Sequence, residues 1–206
     1  MDPGKLITIE GIDGAGKSTL AAGLAQALAE RGIAVQLLRE PGGVRASERI
    51  REVVSDPELD IGPLAEALLY AAARAQLVEE ALRPLLAQGT WVLLDRFVDS
   101  SLAYQGGGRR LGINAVREIN EFAIQGLRPD RTLLLVIEPR DGRARSQARG
   151  GPADRLENEQ RDFFDRTADV YRTLAERDPE RIRTIDASQP PADVLRAAIE
   201  AISDLL

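Results

Sequence analysis

Eight residues near the start of the chain, Gly11-Ile12-Asp13-Gly14-Ala15-Gly16-Lys17-Ser18, match the pattern G-x-x-x-x-G-K-[ST], with Thr19 next. Glycines allow a backbone to wrap an anion with its N–H groups inward, and a helix N-terminus adds partial positive charge. Lys17 is one of only two lysines, the other being Lys5; elsewhere basic charge is carried by arginine. The run Gly11–Thr19 therefore reads as a cradle for nucleotide phosphates, with Lys17 on the β- and γ-phosphates and Ser18 on Mg²⁺. The carboxylate that completes such a site ends another apolar run. In "TWVLLDRF" it is Asp95, placed to polarise the metal's water shell.

The rest of the chemistry is bounded by what is missing. The chain has no cysteine and no histidine, which excludes disulfides, thiolate and imidazole metal sites, and histidine acid–base catalysis. What remains is arginine, lysine, carboxylates, hydroxyls and a borrowed metal ion. Arginines recur at strand ends and in loops: Arg39, Arg74, Arg96, Arg143, Arg145, Arg149 and Arg155. The stretch "ARSQARGGPADR" (Ala144–Arg155) reads as a mobile flap loaded with guanidinium groups, giving a lid over about residues 143–155. Phosphoryl transfer uses such groups, because its transition state spreads charge that positioned cations stabilise, and a closing lid excludes water. No general base is needed if the acceptor is already a phosphate oxygen. The guanine-reading pattern N-K-x-D of GTPase switches is absent.

These residues need a scaffold. Short apolar runs, Leu6–Glu10, Val35–Arg39, Trp91–Asp95, Thr132–Ile137 and Ile182–Asp186, alternate with stretches of helical period. The helical stretches are Lys17–Arg31, Ser47–Ser55, Pro63–Gln88, Ile113–Gln125, Pro139–Arg149, Leu156–Arg177 and Pro191–Leu206. Strand then helix, repeated, predicts an α/β fold: a five-stranded parallel sheet flanked by helices, in one domain over residues 1–206. Right-handed crossovers put the strand C-termini along one edge, where ligands bind. The glycine run, "REPGG" after Arg39 and "DRF" at Asp95 all fall there. At 206 residues and a formal charge of −6 the chain reads as a soluble protein that is no general nucleic-acid binder. It shows neither a signal peptide nor a membrane-spanning run, so the expected location is the cytoplasm.

The blocks "DRFVDSSLAYQGGG" (Asp95–Gly108), "REPGG" (Arg39–Gly43) and "LLYAAARAQ" (Leu68–Gln76) resemble those of the bacterial thymidylate kinases, in the same order and spacing over nearly the whole chain. The resemblance implies a P-loop nucleotide kinase with a short lid, transferring the γ-phosphoryl group of ATP to dTMP with Mg²⁺. It implies that Arg39 and Arg96 grip the acceptor phosphate, that Tyr70 stacks on thymine, and that Arg74 and Gln105 hydrogen-bond the base beside Ser101. It implies further that Tyr104 crowds the sugar's 2′ position, that Asp13 holds the 3′-hydroxyl, and that Glu10 lies near the metal and sugar. Pro41 of the "EPGG" block is expected after a cis peptide, and "TIDASQP" places Ala187 and Ser188 beside adenine. The family carries its catalytic arginine either in the P-loop or in the lid. Gly14 and Ala15 leave no arginine in this P-loop, so Lys17 and Arg96 are joined as catalytic candidates by Arg149, with Arg145 and Arg143 next. A homodimer is implied too, through the apolar faces of Ala65–Leu86 and Ile113–Ala123.

Two alternatives stand beside this. One is a P-loop kinase for another small acceptor such as dUMP. The other is a regulatory module that binds ATP without catalysis. Tyr70, Arg74 and Gln105 weigh against the first, and the second arginine grip weighs against the other.

Overall fold

Five parallel strands form the sheet: β1 (Leu6–Glu10), β2 (Val35–Arg39), β3 (Trp91–Asp95), β4 (Arg131–Val136) and β5 (Ile182–Asp186). Their order is β2-β3-β1-β4-β5, so the chain builds to one side of β1 and then to the other. The order reverses at β1, and its C-terminal end is where such sheets open a crevice. The computed structural model describes residues 3–149 and 159–206.

Alternation along the strands divides the core in two. Leu6, Val92, Leu94 and Leu134 face one side; Ile7, Ile9, Leu93, Leu133 and Leu135 face the other. The second side is covered by α1 (Lys17–Ala29) and α9 (Pro191–Ala201), through Leu20, Leu24, Leu28, Val194 and Ala198. The first is covered by α3 (Pro63–Leu77), α6 (Ile113–Ile124) and α8 (Arg161–Arg177), through Leu77, Val116, Phe163 and Leu174. α2 (Arg45–Ser55) packs on α3, and α7 (Pro139–Arg149) follows β4. Among the described residues no helix is long and apolar enough to cross a membrane.

Two differences from the sequence expectation have local causes. The single helix expected over Pro63–Gln88 is broken by a wider π turn at Val78–Leu82 before α4 (Arg83–Ala87). Pro84 offers no N–H to Glu80 and its ring crowds that carbonyl, so the register widens just ahead of it. The stretch after β3 is helical, α5 (Val98–Ser101) running into a π turn over Leu102–Gly108, although its glycines read as a loop. α8 packs directly on Gly107 and Gly108: a Cβ on Gly107 would lie 2.5 Å from the Val170 side chain. β4 begins one residue earlier than expected, and α8 starts at Arg161; residues 150–158, expected to hold part of the lid and the first turns of that helix, lie outside the described residues.

Candidate active site

The glycine loop leaves β1 and enters α1, turning on Gly11, Gly14 and Gly16, whose φ angles are +137°, +78° and +96°. No side chain caps the first turn of α1, so its N–H groups are left for an anion. Gly14 also accepts the start of α7 against it; a Cβ there would sit 1.9 Å from the Gly142 carbonyl oxygen. Lys17 is only 8 % exposed. Its Nζ donates to the Ile12 carbonyl at 3.1 Å and lies 3.9 Å from Asp13. Burial, then repulsion from Arg96, lowers its pKa to about 8 against the pull of Asp13, Asp95 and Glu10.

Beside the loop, the Ser18 hydroxyl donates to Asp95 at 3.2 Å. A hydroxyl and one carboxylate at the mouth of a phosphate cradle are a donor set suited to Mg²⁺, which keeps several waters and takes phosphate oxygens. Among the described residues no group of three acidic side chains forms a dedicated cage. Glu10 does not join this pair. It is fully buried and accepts from the Phe97 N–H at 2.7 Å, Ser100 Oγ at 2.5 Å and Tyr171 Oη at 2.9 Å. Burial and the nearby Asp99 raise its pKa. The reason is strand parity. Glu10 shares the face of Leu6, toward α5 and α8, whereas Asp95 shares the face of Leu93, toward α1 and Ser18.

The cradle opens into a chamber of about 760 Å³, walled by the loop, Arg39, Arg145, Ala187 and Gln189. Arg145 donates to the Ala187 carbonyl at 2.8 Å, bridging α7 to the loop after β5. Ser188 turns away, its hydroxyl and N–H both on Asp186. Arg39 makes a two-pronged ion pair with Glu48 at 3.0 and 3.1 Å. Arg143 is exposed and lines neither this chamber nor the pocket beside it. The side chain of Arg149 and all of Arg155 lie outside the described residues.

A narrower pocket of about 130 Å³ adjoins the chamber. Tyr70, Arg74, Ser101, Tyr104 and Gln105 line its inner part, with Pro41 at the side, after a cis Glu40–Pro41 peptide. Asp13, Glu40, Arg51 and Arg96 line both cavities and form the rim between them. Arg96 holds a left-handed backbone, φ +71°, unusual for a side chain of its size. Its guanidinium reaches Asp13 at 2.6 Å, the Gly11 carbonyl at 3.1 Å, Ser100 at 3.1 Å and Tyr104 Oη at 3.1 Å. Tyr104 also donates to Asp13 at 3.1 Å. Burial would raise the Asp13 pKa, but Arg96 and Lys17 outweigh it and bring it down to about 2. Burial raises that of Tyr104.

Arg74 is 2 % exposed. It pairs with Glu40 at 2.6 Å and donates to Ser101, Asn120 and the Phe97 carbonyl, so all its N–H groups have protein partners. Burial raises Glu40 to about 7 against the pull of Arg74, and one of its oxygens, Oε1, has no partner among the described residues. Sequence reasoning missed Glu40 and Arg51. Arg51 sits on α2 and donates to the Pro41 carbonyl at 3.2 Å; on an exposed-looking helix nothing but its place one turn beyond Ser47 marks it.

A polyphosphate cradle that opens sideways into an arginine-walled pocket serves transfer between two bound molecules. On this sheet, that defines a P-loop nucleotide kinase. A family model for thymidylate kinase matches residues 9–199. The thymidylate kinase of Rhizorhabdus wittichii is 47 % identical over 99 % of this chain and 99 % of its own. That of Deinococcus radiodurans is 47 % identical over 98 % and 97 %, and that of Legionella pneumophila 42 % over 98 % and 96 %. The chain belongs to the thymidylate kinase family.

Proposed function

We propose that phosphoryl transfer takes place at the rim shared by the two cavities, with ATP in the chamber and the acceptor monophosphate in the narrow pocket. As a thymidylate kinase the enzyme transfers the γ-phosphoryl group of ATP to dTMP, giving dTDP and ADP. The observation that carries the placement is the rim itself: Asp13, Glu40, Arg51 and Arg96 each line both cavities.

On this reading the N–H groups of Gly11–Thr19 and Lys17 hold the β- and γ-phosphates, and Ala187 borders adenine. Ser18 and Asp95 hold Mg²⁺. Bound there, Mg²⁺ neutralises phosphate charge and helps align the donor. Arg96 and Arg51 hold the acceptor phosphate, joined by Arg39 once it exchanges Glu48 for a phosphate. Guanidinium forks match phosphate oxygens two at a time. Tyr70 offers its ring to the base, Gln105, Arg74 and Ser101 surround the base edge, and Tyr104 with Asp13 faces the sugar. An ionised oxygen of the dTMP phosphate attacks the γ-phosphorus as the bond to the β–γ bridging oxygen breaks, and ADP departs with that electron pair. The attacking oxygen carries no proton to remove, which suits a chain without histidine. An arginine of the lid, Arg149 first, then Arg145 and Arg143, stabilises the transferring group.

We further propose a single domain with a lid over about residues 143–155, acting in the cytoplasm as a homodimer. The dimer reading is supported by exposed Leu64 and Leu68 on α3 and Phe122 on the neighbouring α6. The testing experiment is ADP release from ATP and Mg²⁺ with dTMP, dUMP, dCMP, dGMP, dAMP or UMP as acceptor. Strong dTMP-dependent release with poor UMP use is expected. Release without any acceptor would mean a nucleotide-hydrolysing regulator, and preference for another acceptor would discard the base contacts while keeping the kinase.

A further inference from the structure

The wall of the narrow pocket has a second layer. Gln105 lines the pocket, and its Nε2 donates to Glu66 Oε1 at 2.9 Å. Glu66, in the first turn of α3, is fully buried. Arg109 grips it from the other side, with Nη2 3.1 Å from Oε2 and Nε 3.2 Å from each oxygen. The Arg109 side chain is itself held by Glu159 and by the Phe163 ring, 5.1 Å from the guanidinium carbon. A carboxylate clamped by a guanidinium accepts hydrogen bonds and donates none. Only the NH₂ end of the Gln105 amide can face it. The carbonyl end, Oε1, is then turned from Glu66.

We infer that Glu66 locks the amide of Gln105 so that the pocket presents a hydrogen-bond acceptor to the incoming base, selecting pyrimidines that carry an N3–H and rejecting cytosine. This rests on the placement of the acceptor base in the narrow pocket. Thymine and uracil donate from N3; cytosine has a bare lone pair there, which would meet the Gln105 oxygen and leave both unpaired. An unrestrained glutamine would give no such selection, because its two ends have nearly the same shape and a half-turn exchanges donor for acceptor. Glu66 touches no substrate. It is a positioning residue that sets base preference through Gln105.

The test is kcat/KM for dTMP and dCMP in the wild type, Glu66→Gln and Gln105→Leu. The wild type should favour dTMP by ~100-fold or more, since a site built to bond an N–H rejects a partner lacking it strongly. Glu66→Gln frees the amide to turn and should lower that ratio by about tenfold or more, raising the dTMP KM while improving dCMP. A structural role alone would weaken both substrates alike; an unchanged ratio in a folded Glu66→Gln protein overturns the inference. Gln105→Leu separates the two layers. It should raise the dTMP KM with no gain for dCMP, and an unchanged dTMP KM would overturn the pocket placement itself. If Glu66→Gln shows no cooperative thermal transition, the wild-type Gln105 side-chain NH₂ resonances, identified by their loss in Gln105→Leu, decide instead. They should exchange slowly with solvent with and without dTMP, and fast exchange in the dTMP complex overturns the inference.

Discussion

Arg96 and Asp13, 83 residues apart, meet at 2.6 Å and fasten the residue after β3 to the glycine loop. The same guanidinium bonds to the Gly11 carbonyl, so the arginine proposed to hold the acceptor is braced on the glycine loop. On the proposed placement of the two substrates, one side chain would set the distance between their phosphates. Its left-handed backbone, φ +71°, is the kind of strain that persists only where surrounding contacts enforce it.

Arg96→Ala should accordingly lower kcat/KM for dTMP by ~10³ or more. Arg96→Lys should recover little of it, because an ammonium cannot serve Asp13, Gly11, Ser100 and Tyr104 together. Steady-state kinetics with dTMP varied checks both. A variant with intact turnover would transfer the acceptor grip to Arg51 and Arg39.

Lys17 gives a pH dependence with a definite sign. Its pKa is lowered from 10.5 to about 8, so in the free enzyme it is charged below that value and loses charge above it. Phosphates bind the charged form and draw its pKa back up. Apparent ATP affinity should therefore fall as pH rises past about 8, and ATP binding should take up a proton between about 8 and 10. Calorimetric titration in two buffers of different ionisation enthalpy measures that uptake. Lys17→Ala should abolish turnover and remove the uptake.

Asp13 acts in the opposite direction. Its folded pKa of about 2 lies below the ordinary 3.8. It contributes stability that is fully present above about pH 4 and is lost as pH falls toward 2. A drop of nearly two units corresponds to ~2 kcal/mol at neutral pH. Asp13→Asn should be less stable than the wild type by about that much at pH 7 in denaturant titrations. The gap should close as pH falls from 4 to 2, and a gap that stays constant would place the stabilisation elsewhere.

How far the sequence led can be seen in two carboxylates. Glu10 and Asp95 both end apolar strands; the motif sent Asp95 to the metal, and the family resemblance placed Glu10 near it. Asp95 reaches Ser18; Glu10 is buried under α5 and α8. The alternation along β1 already held the distinction, since Glu10 has the parity of Leu6 and Thr8, not of Ile9, which pairs in register with Asp95. All five strands were readable because each is a short apolar run between breakers, and the phosphate loop because its spacing is rigid. The helical turn over Leu102–Gly108 was not, because three glycines normally signal a loop, and here Gly107 and Gly108 admit α8 at close range. Glu66 and Arg109 were invisible for another reason: their role lies in pairing across distant segments, and a single glutamate on a helix face carries no trace of the arginine it will meet.

The lid arginines should separate by kinetic signature. A side chain that meets only the transition state lowers kcat and leaves KM, whereas one that binds the ground state raises KM. Arg145 reaches the Ala187 carbonyl across the chamber, so Arg145→Ala should mainly raise the KM for ATP. Arg143 is exposed, and Arg143→Ala should stay near wild type. Arg149→Ala should lower kcat by ~10²–10³ with the dTMP KM little changed. If kcat survives in Arg149→Ala and collapses in Arg145→Ala, the transition-state contact belongs to Arg145.

α3, which borders the narrow pocket, and its neighbour α6 carry the most exposed large apolar side chains among the described residues. Phe122 on α6 is 86 % exposed, and Leu64 and Leu68, one turn apart on α3, are at least half exposed. Rings and leucines gathered in this way on packed neighbouring helices are costly in water and suit a two-fold contact with a second copy. Sedimentation equilibrium should give twice 22.4 kDa for the wild type. Phe122→Asp combined with Leu68→Asp should give 22.4 kDa. Because α3 also carries Tyr70 and Arg74, loosening that helix should raise the KM for dTMP several-fold while leaving the KM for ATP, whose proposed site lies across the sheet on α1, nearly unchanged. A monomeric wild type, or a double variant that remains a dimer, would remove this face as the subunit contact.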